Sequence, residues 1–187
     1  MWLALVVLAA VWVLVKMRKA EGMASRLDIL LARSQLKLHG KKCALTYYSS
    51  YPTTDEEGYV YNGYEWAGQF KGINGKKSKE WVKGHNIAAV HQEDWPKYGN
   101  TWVMVGWNNR VVVAKVIDVC ADSDTDNKGG QQCTLNKQKY GKPGFLIDLE
   151  VNTAKRIGFN GMAPAVFAVV NQPPPKSPFL YGTSTKF

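Results

Sequence analysis

Asp148 sits in the stretch FLIDLEVNTAKRIG, residues 145–158, among Phe145, Leu146, Ile147 and Leu149. A carboxylate on an oily strand is costly unless it is paired or opens onto a groove. A half-buried aspartic acid holds its proton toward neutral pH and can hand it to a leaving group. The loop ADSDTDNKGG offers other chemistry. Asp122, Asp124 and Asp126 have the opening spacing of a calcium loop. That pattern needs Gly at its sixth position and Glu at its twelfth. Asn127 and Cys133 stand there instead, so a solvated acidic loop is expected, with no metal and no cofactor.

The cysteines are Cys43, Cys120 and Cys133. An odd count allows at most one internal disulfide. Cys120 and Cys133 bracket the polar loop and are the candidate pair; three reduced thiols are the alternative. No CxxC zinc motif, dinucleotide fingerprint, phosphate loop or serine elbow occurs. Tyr47, Tyr48, Tyr59, Tyr61, Tyr64 and Trp66 cluster early in the chain. Aromatic faces stack on sugar rings, and they also build cores and interfaces. Tyr47, Tyr48 and Trp66 are the candidates for binding a glycan or a partner.

The elements that must hold these residues are mostly short strands. CALTYYSSY reads as a strand ending near Pro52, and NIAAVH as another. TWVMVGW and RVVVAKVIDVC read as a hairpin turning at Asn108-Asn109. FLIDL and AVFAVVN are the last strands. SKEWVKGHN predicts a short helix, as does EVNTAKRIGF, with Asn152 or Thr153 near its start and Gly158 at its stop. EDWPKYGN reads as a turn, and 121–144 as one long polar loop. His39 and His85 read as solvent-facing. Asp118 reads as a brace for the loop after it. Many short strands with few helices predict a small closed barrel.

The N-terminus reads as an anchor. Residues 2–15 are uninterrupted apolar, and Lys16, Arg18 and Lys19 follow. About 17–25 apolar residues span a bilayer. A cleaved signal peptide would carry its cations before the apolar run, and here they come after it. With a retained anchor, the positive-inside rule puts the remaining chain on the cytoplasmic side. That placement favours reduced cysteines and pulls against the disulfide. The expected organisation is a transmembrane anchor over 1–19, a possible helical spacer over 20–40, a barrel over 41–171, and a proline-rich tail over 172–187. In the spacer, Leu27, Leu30, Leu31 and Leu38 have near-helical spacing. The net charge of +9 favours anionic partners. No arginine-rich arm or recognition-helix pattern occurs, so nucleic acid is not an expected partner.

NIAAVHQEDWPKYGNTWVMV, NNRVVVAKVIDVC and FLIDLEVNTAKRIGF, in that order, resemble the double-psi β-barrel superfamily of expansins, barwin-like proteins, family-45 glycoside hydrolases and rare-lipoprotein-A-like lytic transglycosylases. The resemblance covers about residues 41–171. It implies a six-stranded, mainly β barrel with short helices, here preceded by a membrane helix. It also implies that Asp148 and His91 are the catalytic candidates. An acid protonates the leaving oxygen, and a histidine shares or orients that proton. A transglycosylase needs no second carboxylate, because the sugar's own hydroxyl attacks. An inverting hydrolase needs two. Only Asp55 stands near the position that family-45 enzymes use, after Ser49 and Ser50, which argues against that activity.

GKKSKEWVKGHNIAAVH, VIDVCADSDT and GFLIDLE also resemble proteins of large DNA viruses of algae. The leading expectation is therefore a membrane-anchored interaction module. It would be a minor capsid or membrane-associated virion protein, with capsid or other virion proteins as partners. The alternative is a polysaccharide-active protein, either lytic or expansin-like. A secreted barwin-like protein would require a cleaved N-terminus.

Overall fold

The computed structural model describes residues 30–51, 67–122, 131–140 and 144–171. The proposed anchor (1–19), Trp66 and the proline-rich tail (172–187) lie outside these residues. Among the described residues no helix is long and apolar enough to cross a membrane.

Helical residues 30–39 form α1, which leads into β1 (Lys41–Tyr48). Then come α2 (Lys79–Gly84), β2 (Ile87–His91), a 3-10 turn (Gln92–Asp94) and α3 (Trp95–Tyr98). The hairpin β3 (Trp102–Trp107) and β4 (Arg110–Cys120) follows, then α4 (Gln132–Gln138). The described chain closes with β5 (Leu146–Glu150), α5 (Val151–Arg156) and β6 (Ala163–Val170). EDWPKYGN is thus helical rather than a plain turn, with Pro96 in the first turn of α3, where its missing N–H costs nothing. The polar stretch after Cys120 likewise contains α4.

The six strands close into a barrel in the order β1-β5-β2-β4-β3-β6. Two pairs, β1–β5 and β2–β4, are parallel, and the others are antiparallel. This is the mainly β, six-stranded architecture that the double-psi resemblance implies. The β3–β4 hairpin turns at Asn108 and Asn109, with φ of 45° and 61°. Asparagine tolerates this left-handed backbone, and it matches the right-handed twist of the strands.

Strand residues alternate between the inside and the outside of the barrel. Leu45, Val90, Val103, Val105, Val112, Ala114, Ile147, Leu149 and Phe167 fill the interior. The outward residues of β3 and β6, and those in the first half of β4, are apolar as well. Met104, Val111 and Val113 carry Ala32 and Leu36 of α1. Gly40 ends α1 by donating its N–H to the Leu36 carbonyl at 2.9 Å. A β-bulge between β2 and β4 skips Ile117. Ile117 turns outward into a second cluster with Phe70, Val82 and Ile87, and its carbonyl accepts from Gly72 N–H at 2.8 Å. The bulge resets the alternation, so the next residue but one from Val116, Asp118, points outward beside Ala89.

Candidate functional site

The strand register sets one row of residues across the outer face. Thr46 on β1 pairs with Asp148 on β5, Asp148 with Ala89 on β2, and Ala89 with Asp118 on β4. Asp148 is 8% exposed, and Thr46 Oγ1 donates to its Oδ1 at 2.7 Å. Burial pushes the Asp148 carboxyl up to about 7. The Thr46 hydroxyl opposes that rise by favouring the anion, and the charge of Asp118 adds to it. Ala89, between the two acids, is itself buried. Two strand spacings separate the β5 and β4 backbones by about 9.5 Å.

Asp118 is therefore more than the loop brace expected from sequence, although it does accept from Lys71 N–H at 3.4 Å. It is the second carboxylate of the row, supplied by β4 rather than by the stretch after β1. Tyr48, one step along β1, lies beside it. The Tyr48 hydroxyl is buried and has no well-formed hydrogen bond among the described residues. Burial first, then Asp118, Asp148 and Glu150, hold that phenol well above its ordinary range. Sequence reasoning missed Asp118 and Glu150 as neighbours of Asp148. Asp118 could have been found only from the parallel β2–β4 pairing.

Glu150 has a structural task. It is 1% exposed and caps α5, its Oε2 accepting from Asn152 N–H at 2.7 Å. Ser50 donates to its Oε1 at 3.1 Å. Burial raises its pKa, and these hydrogen bonds work against the rise. The cap of α5 is thus Glu150, not Asn152 or Thr153. Thr153 instead accepts from Ile87 N–H at 2.8 Å and ties α5 to β2.

His91 faces outward in the next row, paired with Cys120. The structure places it on the same side of the barrel as Asp148 but under α4, and only 1% exposed. Its Nε2 lies 3.1 Å from Thr134 Oγ1, which donates to Asp122 Oδ2 at 2.7 Å. Glu93 N–H donates to its Nδ1 at 3.4 Å. Because the Thr134 hydroxyl gives its proton to Asp122, its oxygen is free to accept from His91 Nε2–H. The imidazole is therefore engaged by the α4 segment rather than by Asp148. Cys120 and Cys133 are joined by a disulfide, with a Cα–Cα separation of 5.8 Å, and it fastens α4 to the end of β4. Cys43 is the free thiol, buried and pushed up to about 12 by that burial.

Tyr47 points inward at the barrel end, edge-on to Phe159 at 6.4 Å. Its ring belongs to the core side and is withdrawn from the outer face where a sugar would stack. His85 is 5% exposed and stacks on Trp81 at 3.8 Å, so it is not solvent-facing. His39 is exposed. Among the described residues no group of three His, Cys, Asp or Glu could hold a metal ion.

No family model matches the chain. No curated protein matches it either. Among solved structures, it is similar to the apo form of an expansin from Clavibacter michiganensis, at 16% identity and a TM-score of 0.41. That similarity covers 72% of this chain and 52% of the expansin, so the match spans about half the expansin's length. It is also similar to a Streptomyces papain inhibitor, at 16% identity and a TM-score of 0.33, covering 69% of this chain and 96% of the inhibitor. Neither is a viral protein, and the virion reading gains no support from them.

Proposed function

We propose that this barrel acts on polysaccharide, with Asp148 as the proton donor to a glycosidic oxygen. One observation carries the reading. Asp148 is a nearly buried carboxyl held by a single threonine hydroxyl, with a second carboxylate across Ala89. That setting keeps it protonated close to neutrality, as a general acid requires.

In the step, Asp148 gives its proton to the leaving oxygen as the bond to the anomeric carbon breaks. The sugar's own hydroxyl closes on that carbon, and its proton returns Asp148 to the neutral form. Asp118 keeps negative charge near the developing cation. The disulfide supports an oxidising compartment, where wall glycans are met, rather than the cytoplasmic side expected from the flanking cations.

The test uses the full chain in detergent, incubated with peptidoglycan and with algal wall polysaccharide, with released fragments read by mass spectrometry. Fragment release should fall by about 100-fold or more in Asp148→Asn, the scale of a lost general acid. In the intact protein it should fall as pH rises through about 7, where Asp148 loses its proton. Release that survives in Asp148→Asn overturns the reading. So does an absence of release from a folded protein.

A further inference from the structure

We infer that the face built by α1, β3 and β6 is a membrane-contact face. It seats the barrel on an anionic bilayer with the Asp148 row turned away from it. This inference does not depend on the glycan reading.

The first observation is an apolar helix face left uncovered. α1 buries Ala32 and Leu36 against Met104, Val111 and Val113. Leu30, Leu31 and Leu38 remain 59%, 55% and 74% exposed on its other side. Leu31 and Leu38 are seven residues apart and so share one stripe. Beside the helix runs a groove of about 430 Å³. Met104, Ala168 and Val170 line it, with Gln35, His39 and Asn171 among its polar residues. An apolar floor with a polar rim suits the boundary between acyl chains and headgroups.

The second observation is charge. Residues 30–51, 102–117 and 163–171 hold α1, β1, β3, β6 and most of β4, and they contain no Asp or Glu. They do contain Arg33, Lys37, Lys41, Lys42 and Lys115, together with Arg110, which is turned away to the Ile157 carbonyl. Lys42 pairs across from Val166, and Lys115 from Trp102, so cations flank the outer apolar strip on both sides. Cations beside exposed leucines match an anionic lipid surface. Two copies of this face would meet cation to cation, which disfavours self-association.

The third observation is reach. Residues 16–29 are all that separate the apolar run 2–15 from Leu30. Fourteen residues span at most about 50 Å when fully extended. An inserted run therefore keeps α1 close to the bilayer. Topology then sets the orientation. In the closed order β1-β5-β2-β4-β3-β6, the strand opposite β5 is β3. α1 packs on β3 and its two neighbours, so seating α1 on lipid turns Asp148 toward the far side.

The full chain, reconstituted in phosphatidylglycerol–phosphatidylcholine vesicles, carries a single environment-sensitive fluorophore on Leu31→Cys, Leu38→Cys or Lys155→Cys. Cys43 is buried and Cys120 and Cys133 are bonded, so labelling is selective. We expect emission from positions 31 and 38 to shift to the blue and to be quenched by spin-labelled lipid. Position 155, exposed on α5, should do neither. Replacing phosphatidylglycerol with neutral lipid should reduce the quenching at 31 and 38. Equal quenching at all three positions overturns the inference, as does failure of the chain to sediment with vesicles. A blue shift at 31 that grows with protein-to-lipid ratio without lipid quenching also overturns it, in favour of a second copy on this face.

Discussion

The two sides of the barrel share one backbone plan and differ in their central outward residues. On the β5 side these are Thr46, Asp148, Ala89 and Asp118, with apolar Ala44 and Leu146 further along under α4. On the β3 side they are Met104, Val111, Val113 and Val166, roofed by α1. The inward residues on both sides are apolar, mostly aliphatic, and pack the barrel interior. A closed barrel thus fixes one residue in two and leaves the other free. Where the free residues are apolar, a strand becomes oily on both faces and needs a second layer, which α1 supplies. Where they are polar, the strand can carry a carboxyl at the cost of holding it neutral. The acidic residues of the described barrel gather on one side, and their absence from the other leaves that side basic.

This contrast can be broken from either side, and the largest expected effect is at Asp148. Its carboxyl is raised from 3.8 to about 7. The folded state therefore keeps a proton that the unfolded chain has already lost. Stability falls as pH rises from about 3.8, and the loss is complete above about 7. At about 1.4 kcal/mol per pH unit, the full effect is about 4 kcal/mol. In urea unfolding, Asp148→Asn should be more stable than the parent by about that amount above pH 7, and should show no gain below pH 4. An equal change at both pH values would mean that Asp148 ionises normally.

On the opposite side, Leu36→Ala should cost about 3 kcal/mol, the usual scale for truncating a buried leucine. Leu36 is 5% exposed under α1. Denaturation at neutral pH would measure the loss, and an unchanged midpoint would mean that the helix is not part of the folded unit. The smallest effect sharpens the polar side. Thr46→Val removes the one hydroxyl that favours the Asp148 anion, so the carboxyl should titrate above about 7. Carbon-13 NMR of the Asp148 carboxyl would follow the titration. The accompanying change in stability should be about 1 kcal/mol.

The strands of both sides were readable from sequence, because valine-rich runs such as RVVVAKVIDVC and the Asn108-Asn109 turn are local signals. Helix α4 was not. Its stretch QCTLNKQ has almost no apolar face, and it is held by the Cys120–Cys133 bond and by Thr134 against Asp122 and His91. Those contacts exist only after the barrel forms. The place of Asp118 beside Asp148 was missed for a related reason. It needs the parallel β2–β4 register and the bulge at Ile117, and no short-range pattern encodes either. Glu150 as the cap of α5 was hidden because a capping glutamate on a buried strand looks like any other strand residue. His91 was read on the strand that the structure shows, but nothing in its neighbourhood in the chain announced the helix that covers it.

The position of β1 has a consequence for how the protein is made. Among the described strands, β1 is the first to leave the ribosome, yet its two neighbours in the barrel are β5 and β6, the last two of them. The bond between Thr46 and Asp148 joins residues 102 apart. No nascent chain lacking β6 can close the ring, so β1 must wait with both edges unpaired while the rest is synthesised. Such edges attract other unfinished chains. Premature termination anywhere before Ala163 should therefore yield aggregates rather than a smaller folded product, and the newborn protein depends on whatever shields its first strand until the last one arrives.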